Sequence, residues 1–164
     1  MTTHYSAARL TLALLAVLAL AGPAAAERQE KQVPFRGRLE GVATVAPLTP
    51  PFVSINVEGS GQATQLGHFE VSIPHVTNRS NGTVVGTYEF TAANGDTLTA
   101  DFTGRATPTD VPGVVSVAVT ATITGGTGRF DGATGSFVAE RLVTMANGTV
   151  TESFDGTIST ARGG

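Results

Sequence analysis

The sequence contains no cysteine and no tryptophan, only two tyrosines, and charged side chains at just 14% of its 164 residues. Without cysteine there are no disulfides, no thiolate metal sites, no iron–sulfur clusters and no cysteine nucleophile. Ten basic residues against thirteen acidic ones set the formal charge at −3. No basic run interleaved with aromatics supplies the phosphate-neutralising footprint of a nucleic-acid binder. Histidine is scarce as well. Beyond the N-terminal apolar run there are only His68 and His75, neither in a zinc-ligand spacing, so no metal and no other cofactor is expected. A Gly-x-Ser-x-Gly nucleophile elbow is missing too. The charge is too sparse for a disordered chain, and 41% hydrophobic residues supply the material of a core.

The N-terminus reads as a targeting segment. Met1 to Arg9 carries one arginine and no acid, Leu10 to Ala21 is apolar apart from Thr11, and Ala24-Ala25-Ala26 places small residues before Glu27. This is a secretory signal pattern, and its apolar run of about 12 residues falls well short of the ~20 that a spanning helix needs. Residues 1–26 are therefore expected to be removed as a signal peptide. Residues 27–164 remain as a single secreted or periplasmic domain with no membrane span. Losing Arg9 takes the formal charge to about −4. With no disulfide to staple it, the core alone must hold this domain together in an oxidising compartment.

From Phe35 onward, strand signals follow one another with almost no helical periodicity. Phe35, Gly37, Leu39, Gly41, Ala43 and Val45 alternate with Arg36, Arg38, Glu40, Val42 and Thr44, the period of two of a half-buried strand. Pro47, Pro50 and Pro51 interrupt it, and Val53, Ile55 and Val57 resume the alternation. Segments 66–76, 84–92, 98–106, 114–123, 137–145 and 150–158 repeat the theme, giving about eight strands separated by glycine- and asparagine-rich turns. No length is left for crossover helices, so the fold class is all-β: an eight-stranded antiparallel closed barrel, with a β-sandwich as the alternative. Closure is favoured because each strand has one apolar and one Thr/Ser-rich face. An outer-membrane barrel would need aromatic girdles that this composition cannot furnish.

The densest glycine segment is Thr124-Gly125-Gly126-Thr127-Gly128-Arg129-Phe130-Asp131-Gly132-Ala133-Thr134-Gly135. No Gly-Lys-Ser/Thr and no helix pattern follow it, so it is not a nucleotide loop. It reads as a connection in which Phe130 caps one end of a barrel. The run Gly-Gly-Thr-Gly-Arg-Phe, followed by small residues and another glycine, resembles a segment of dirigent proteins and of the allene oxide cyclase-like barrels. The eight alternating strands and the secretion signal fit the same superfamily. The resemblance implies an eight-stranded antiparallel barrel with a largely apolar cavity, trimeric association, and functions that range from cyclisation to the guidance of radical coupling. No catalytic residue carries over position by position.

Turn length and strand parity predict which polar groups enter the barrel. Phe154 and Ile158 put even positions inside on the last strand, and Phe137 and Val143 put odd positions inside on the one before. A two-residue Asn147-Gly148 turn of type I′ satisfies that parity. It sets Val143 opposite Glu152 and Arg141 opposite Phe154, making Arg141 and Glu152 inward diagonal neighbours within reach of a charge-assisted pair. A two-residue Asn81-Gly82 turn pairs Ile73 with Phe90 and His75 with Tyr88, with His68 and Glu70 outward. At Asn94-Gly95 both flanking strands are apolar at even positions, which demands an odd loop. A three-residue Ala93-Asn94-Gly95 loop with Gly95 left-handed sets Phe90 opposite Leu98 and Glu89 opposite Thr99.

The interior is thus expected to gather His75, Tyr88, Arg141 and Glu152 among apolar side chains, the composition of a small-ligand cavity. The leading reading is an exported barrel that binds or shields a small apolar ligand, without a clear catalytic constellation. The first alternative is an isomerase, cyclase or coupling guide of the allene oxide cyclase and dirigent type, using those four residues as acid–base and anchoring groups. The second is a structural or adhesive surface module. A barrel filled with side chains would favour the surface module, a dry open cavity the ligand binder, and a cavity with converging polar groups the enzyme.

Overall fold

The structure, a computed structural model, describes residues 31–160; the expected signal peptide falls outside them. Eight strands follow in order: β1 (Val33–Pro47), β2 (Phe52–Ala63), β3 (Gly67–Asn78), β4 (Thr83–Ala92), β5 (Thr97–Pro108), β6 (Val114–Gly126), β7 (Thr134–Thr144) and β8 (Thr149–Ser159). Each pairs antiparallel with the next, and β8 returns to β1, so the sheet closes into a barrel. Closure leaves no edge strand, which settles the choice against a sandwich. No helix among the described residues is long and apolar enough to cross a membrane.

The inward positions follow the alternation in the sequence, yet they differ along the barrel axis. Toward one end Phe35, Phe69, Phe90, Phe137 and Phe154 pack with ring centroids 5.1 to 6.3 Å apart, in tilted and edge-to-face contacts. Aromatic pairs at these separations add to the stabilisation from area burial. This plug needs neighbours without side chains. A Cβ on Gly37, for instance, would come within 2.4 Å of the Phe154 ring. Toward the other end Val53, Ile55 and Val57 of β2, Val84 of β4, Val117 of β6 and Val143 of β7 line a cavity of about 700 Å³.

The glycine-rich motif closes the packed end. Gly128–Phe130 forms one turn of 3-10 helix, and Phe130 is fully buried beneath it. Asp96 occupies the concave side of this turn: its carboxylate accepts the Arg129 backbone N–H at 3.2 Å, and a Cβ on Gly128, which has φ +59°, would collide with it. An anion there would meet a carboxylate, so the motif is a structural cap and no phosphate cradle.

Three hairpins test the parity reasoning. At Ala93-Asn94-Gly95 the three-residue loop forms as expected, with Phe90 opposite Leu98, Glu89 opposite Thr99 and Gly95 at φ +86°. Glu89 and Asp101 are both exposed and are not paired with each other. Gly95→Ala should lose about 1–2 kcal/mol in a urea melt from left-handed strain, because nothing lies within 4 Å of the added Cβ to clash. An unchanged midpoint would show that the loop relaxes out of that conformation.

The Asn81-Gly82 and Asn147-Gly148 hairpins depart from the two-residue turns expected of them. Both loops have four residues, 79–82 and 145–148, so the registers shift by two: His75 faces Gly86 rather than Tyr88, Val71 rather than Ile73 faces Phe90, Arg141 faces Glu152, and Val143 faces Val150. A type I′ turn requires positive φ at both central residues. Here only Gly82 and Gly148 are left-handed. Each asparagine instead uses its side chain, Asn81 accepting the Thr83 N–H and Asn147 the Thr149 N–H, both at 3.0 Å, which is the Asx-turn alternative. The longer loops also lean onto the adjacent strand, where Ala106 and Ala43 donate to the Gly82 and Gly148 carbonyls at 2.8 Å. A shift of two keeps every residue on its face, so the inward set is unchanged and only its pairings move.

Candidate functional site

All four polar residues singled out from the sequence are buried. Arg141, Glu152 and Tyr88 form one network between the phenylalanine plug and the open cavity. Arg141 on β7 lies directly opposite Glu152 on β8, and its Nε donates to Glu152 Oε2 in a short ion pair. The Tyr88 hydroxyl, from β4, donates to Glu152 Oε1 at 2.6 Å and accepts from Arg141 Nη2 at 3.1 Å. Tyr88 is stacked on Phe90 and packs edge-on against Phe137, so the network is braced from below by the plug. The guanidinium carbon sits 5.7 Å from the centroids of the Tyr88 and Phe102 rings, within the range of cation–π attraction.

The electrostatics follow from this enclosure. Burial, and then the Glu152 carboxylate, push the Tyr88 phenol well above its ordinary pKa. Burial works against the Arg141 charge, but Glu152 and Tyr88 outweigh it and its pKa is raised. The charge pair is thus held together while its surroundings stay neutral. One donor is left over: Arg141 Nη1 is buried and has no hydrogen-bond partner. Most buried polar groups have one, so an orphan on this side chain asks for an explanation.

His75 lines the same cavity from β3 without joining the network. Its Nδ1 lies 2.8 Å from the Ile73 carbonyl, which can only accept, so Nδ1 carries the proton and Nε2 presents a lone pair. Burial lowers its pKa to about 4 against the opposing pull of the Ile73 carbonyl, and Arg141 adds to the lowering. The neighbouring Pro74 takes the exposed phase of the strand, leaving the His75 ring inward. Gly86 opposite leaves the room: a Cβ there would come within 2.4 Å of His75 Cβ.

The cavity opens between the loops at the end opposite the glycine motif. Its walls include Val57, Val84, Val117 and Val143, and its lining also includes Met145, Asn147 and, among the polar side chains, His75, Arg141 and the exposed Arg79. Of the four polar residues singled out from the sequence as cavity candidates, His75 and Arg141 line this cavity, whereas Tyr88 and Glu152 are buried without lining it; the apolar walls were not singled out. The signal was present in the side-chain sizes: valines occupy the inward positions near one end of the strands and phenylalanines those near the other. Two further concavities, centred on Arg38, Gln62 and Glu140, lie on the polar outer face of the barrel and are open to solvent.

The closed eight-stranded antiparallel barrel is the dirigent type of β-barrel fold. Solved structures bear this out. The pterocarpan synthase dirigent protein PsPTS1 superposes with a TM-score of 0.60 at 12% sequence identity, over 82% of this chain and 99% of that one. The pterocarpan synthase dirigent protein GePTS1 does so with a TM-score of 0.57 at 14% identity, over 82% and 88%. At such identities the likeness is one of fold. No protein-family model and no curated protein matches the sequence.

Proposed function

We propose that this protein is an exported barrel that binds a small apolar ligand in its open half. The observation that carries this reading is the cavity itself: about 700 Å³, walled by aliphatic side chains, reaching down to two polar residues and open at one end. That size and lining are those of a small-molecule site. A barrel built only as a surface module would gain stability by filling this space, since unfilled volume forfeits packing. Nile red, an uncharged apolar dye, tests the reading. Wild-type protein should bind it, and a Val117→Trp/Val143→Trp variant, which fills the cavity from two walls, should bind it about tenfold more weakly or worse. Equal binding by both would place the dye elsewhere and remove the support.

A second reading, catalysis of a cyclisation or guidance of a coupling, is favoured by one observation. A neutral imidazole with a free lone pair and a guanidinium donor line one apolar cavity, the pairing that moves a proton on one side of a molecule while holding an oxygen on the other. Under this reading, wild-type protein converts the ligand it retains, whereas His75→Gln binds the same ligand and returns it unchanged. Under the first reading both proteins return it unchanged.

A further inference from the structure

Taking the cavity as the ligand site, we infer that it selects uncharged ligands presenting a carbonyl oxygen to Arg141, and discriminates against carboxylates of the same shape. Two observations converge on this. The first is the hydrogen-bond count at Arg141. Nε is engaged by Glu152 and Nη2 by Tyr88, while Nη1 is buried without an acceptor on a side chain that lines the cavity. A buried charged donor left unmatched is costly, and a ligand oxygen that meets it gains what the apo protein forgoes.

The second is the charge count. Arg141 and Glu152 cancel, Tyr88 is held as the neutral phenol, and His75 lacks a charge through the neutral pH range. The remaining cation among the lining residues is Arg79, which is exposed at the mouth. A carboxylate carried to Arg141 would bring a second negative charge beside Glu152, with no second buried cation to balance it. A ketone or ester oxygen brings an acceptor and no charge. A hydroxyl next to that carbonyl would also find an acceptor, since Nε2 of His75 is unprotonated.

Cyclooctanone, cyclooctane carboxylate and cyclooctane share one apolar body and differ only in the group offered to Arg141. Titrated into the full chain at neutral pH, with binding followed by calorimetry and by the Arg141 Nε–H resonance, cyclooctanone should bind about tenfold more tightly than either of the others. It alone should move the Arg141 resonance strongly. An Arg141→Met/Glu152→Leu variant, checked for folding by circular dichroism, should bind the ketone no better than cyclooctane. Carboxylate binding as tight as ketone binding, equal affinity for all three, or a ketone preference that survives in the double variant would each overturn the inference while leaving the cavity as an apolar site. Failure of all three probes to bind would overturn the inference together with the reading it rests on.

Discussion

Glu152→Ala should destabilise the barrel by about 3–5 kcal/mol. The substitution strips the buried Arg141 guanidinium of its counter-charge and the Tyr88 hydroxyl of its acceptor in one step. Both groups are shielded from solvent in the native state: Arg141 is 1% exposed and Tyr88 is fully buried. The native pair, by contrast, is close to neutral for stability, because desolvating two ions offsets much of their attraction. Replacing both, as in Arg141→Met/Glu152→Leu, should therefore recover most of the loss. Urea melts of wild type, single and double variants form the cycle that isolates the coupling. A Glu152→Ala midpoint within about 0.5 kcal/mol of wild type would mean that the carboxylate behaves as a surface group, and the inward network would be wrong.

Acidification should cost the protein about 3 kcal/mol through His75 alone. The folded-state pKa of His75 is lowered from 6.5 to about 4, with burial as the main cause. The unfolded chain therefore takes up a proton that the folded one refuses. Stability from this group is fully present above pH 6.5, declines as pH falls toward 4, and changes no further below that. The comparison with His75→Gln isolates the contribution, since both proteins titrate the same carboxylates. Wild type should lose more stability than the variant between those two pH values. Parallel pH profiles would show that the imidazole is solvated, with its ring outside the cavity.

The alternating architecture and the inward placement of His75, Tyr88, Arg141 and Glu152 were legible in the sequence because both follow from parity. Alternation with period two says which residues share a face, and a loop of odd or even length says how the faces of adjacent strands match. That is why His75, Tyr88, Arg141 and Glu152 were found inside although two registers were off by two residues. The registers themselves depend on whether an Asn-Gly pair takes the left-handed conformation at both positions or spends the asparagine side chain on the backbone two residues on. The dipeptide alone does not encode that choice. Here Thr83 and Thr149 follow the pairs and donate their N–H groups to the asparagines, and the loops dock on Ala106 and Ala43, contacts set by strands distant in the chain.

The hollow was encoded less directly. β3 runs Phe69, Val71, Ile73, His75 from the plug toward the mouth, and β8 runs Val150, Glu152, Phe154 the opposite way. Once the strands are known to be antiparallel and in register, the five plug phenylalanines gather toward one end and the cavity-lining Val57, Val84, Val117 and Val143 toward the other. The cavity is thus a consequence of sequence gradients that only the three-dimensional register brings into phase. The unmatched Arg141 Nη1 lies further still from the sequence, because it depends on how the fork of the guanidinium divides between Glu152 and Tyr88.

Methyl nuclear magnetic resonance during a cyclooctane titration tests the central claim most directly, since valines lie on both faces of the barrel. The account predicts that the cavity-lining methyls of Val57, Val84, Val117 and Val143 shift together along one saturable curve. The exposed methyls of Val42, Val85 and Val138 should remain in place. Shifts concentrated on the exposed set, or no saturable shift of the inward set, would contradict a ligand site inside the barrel.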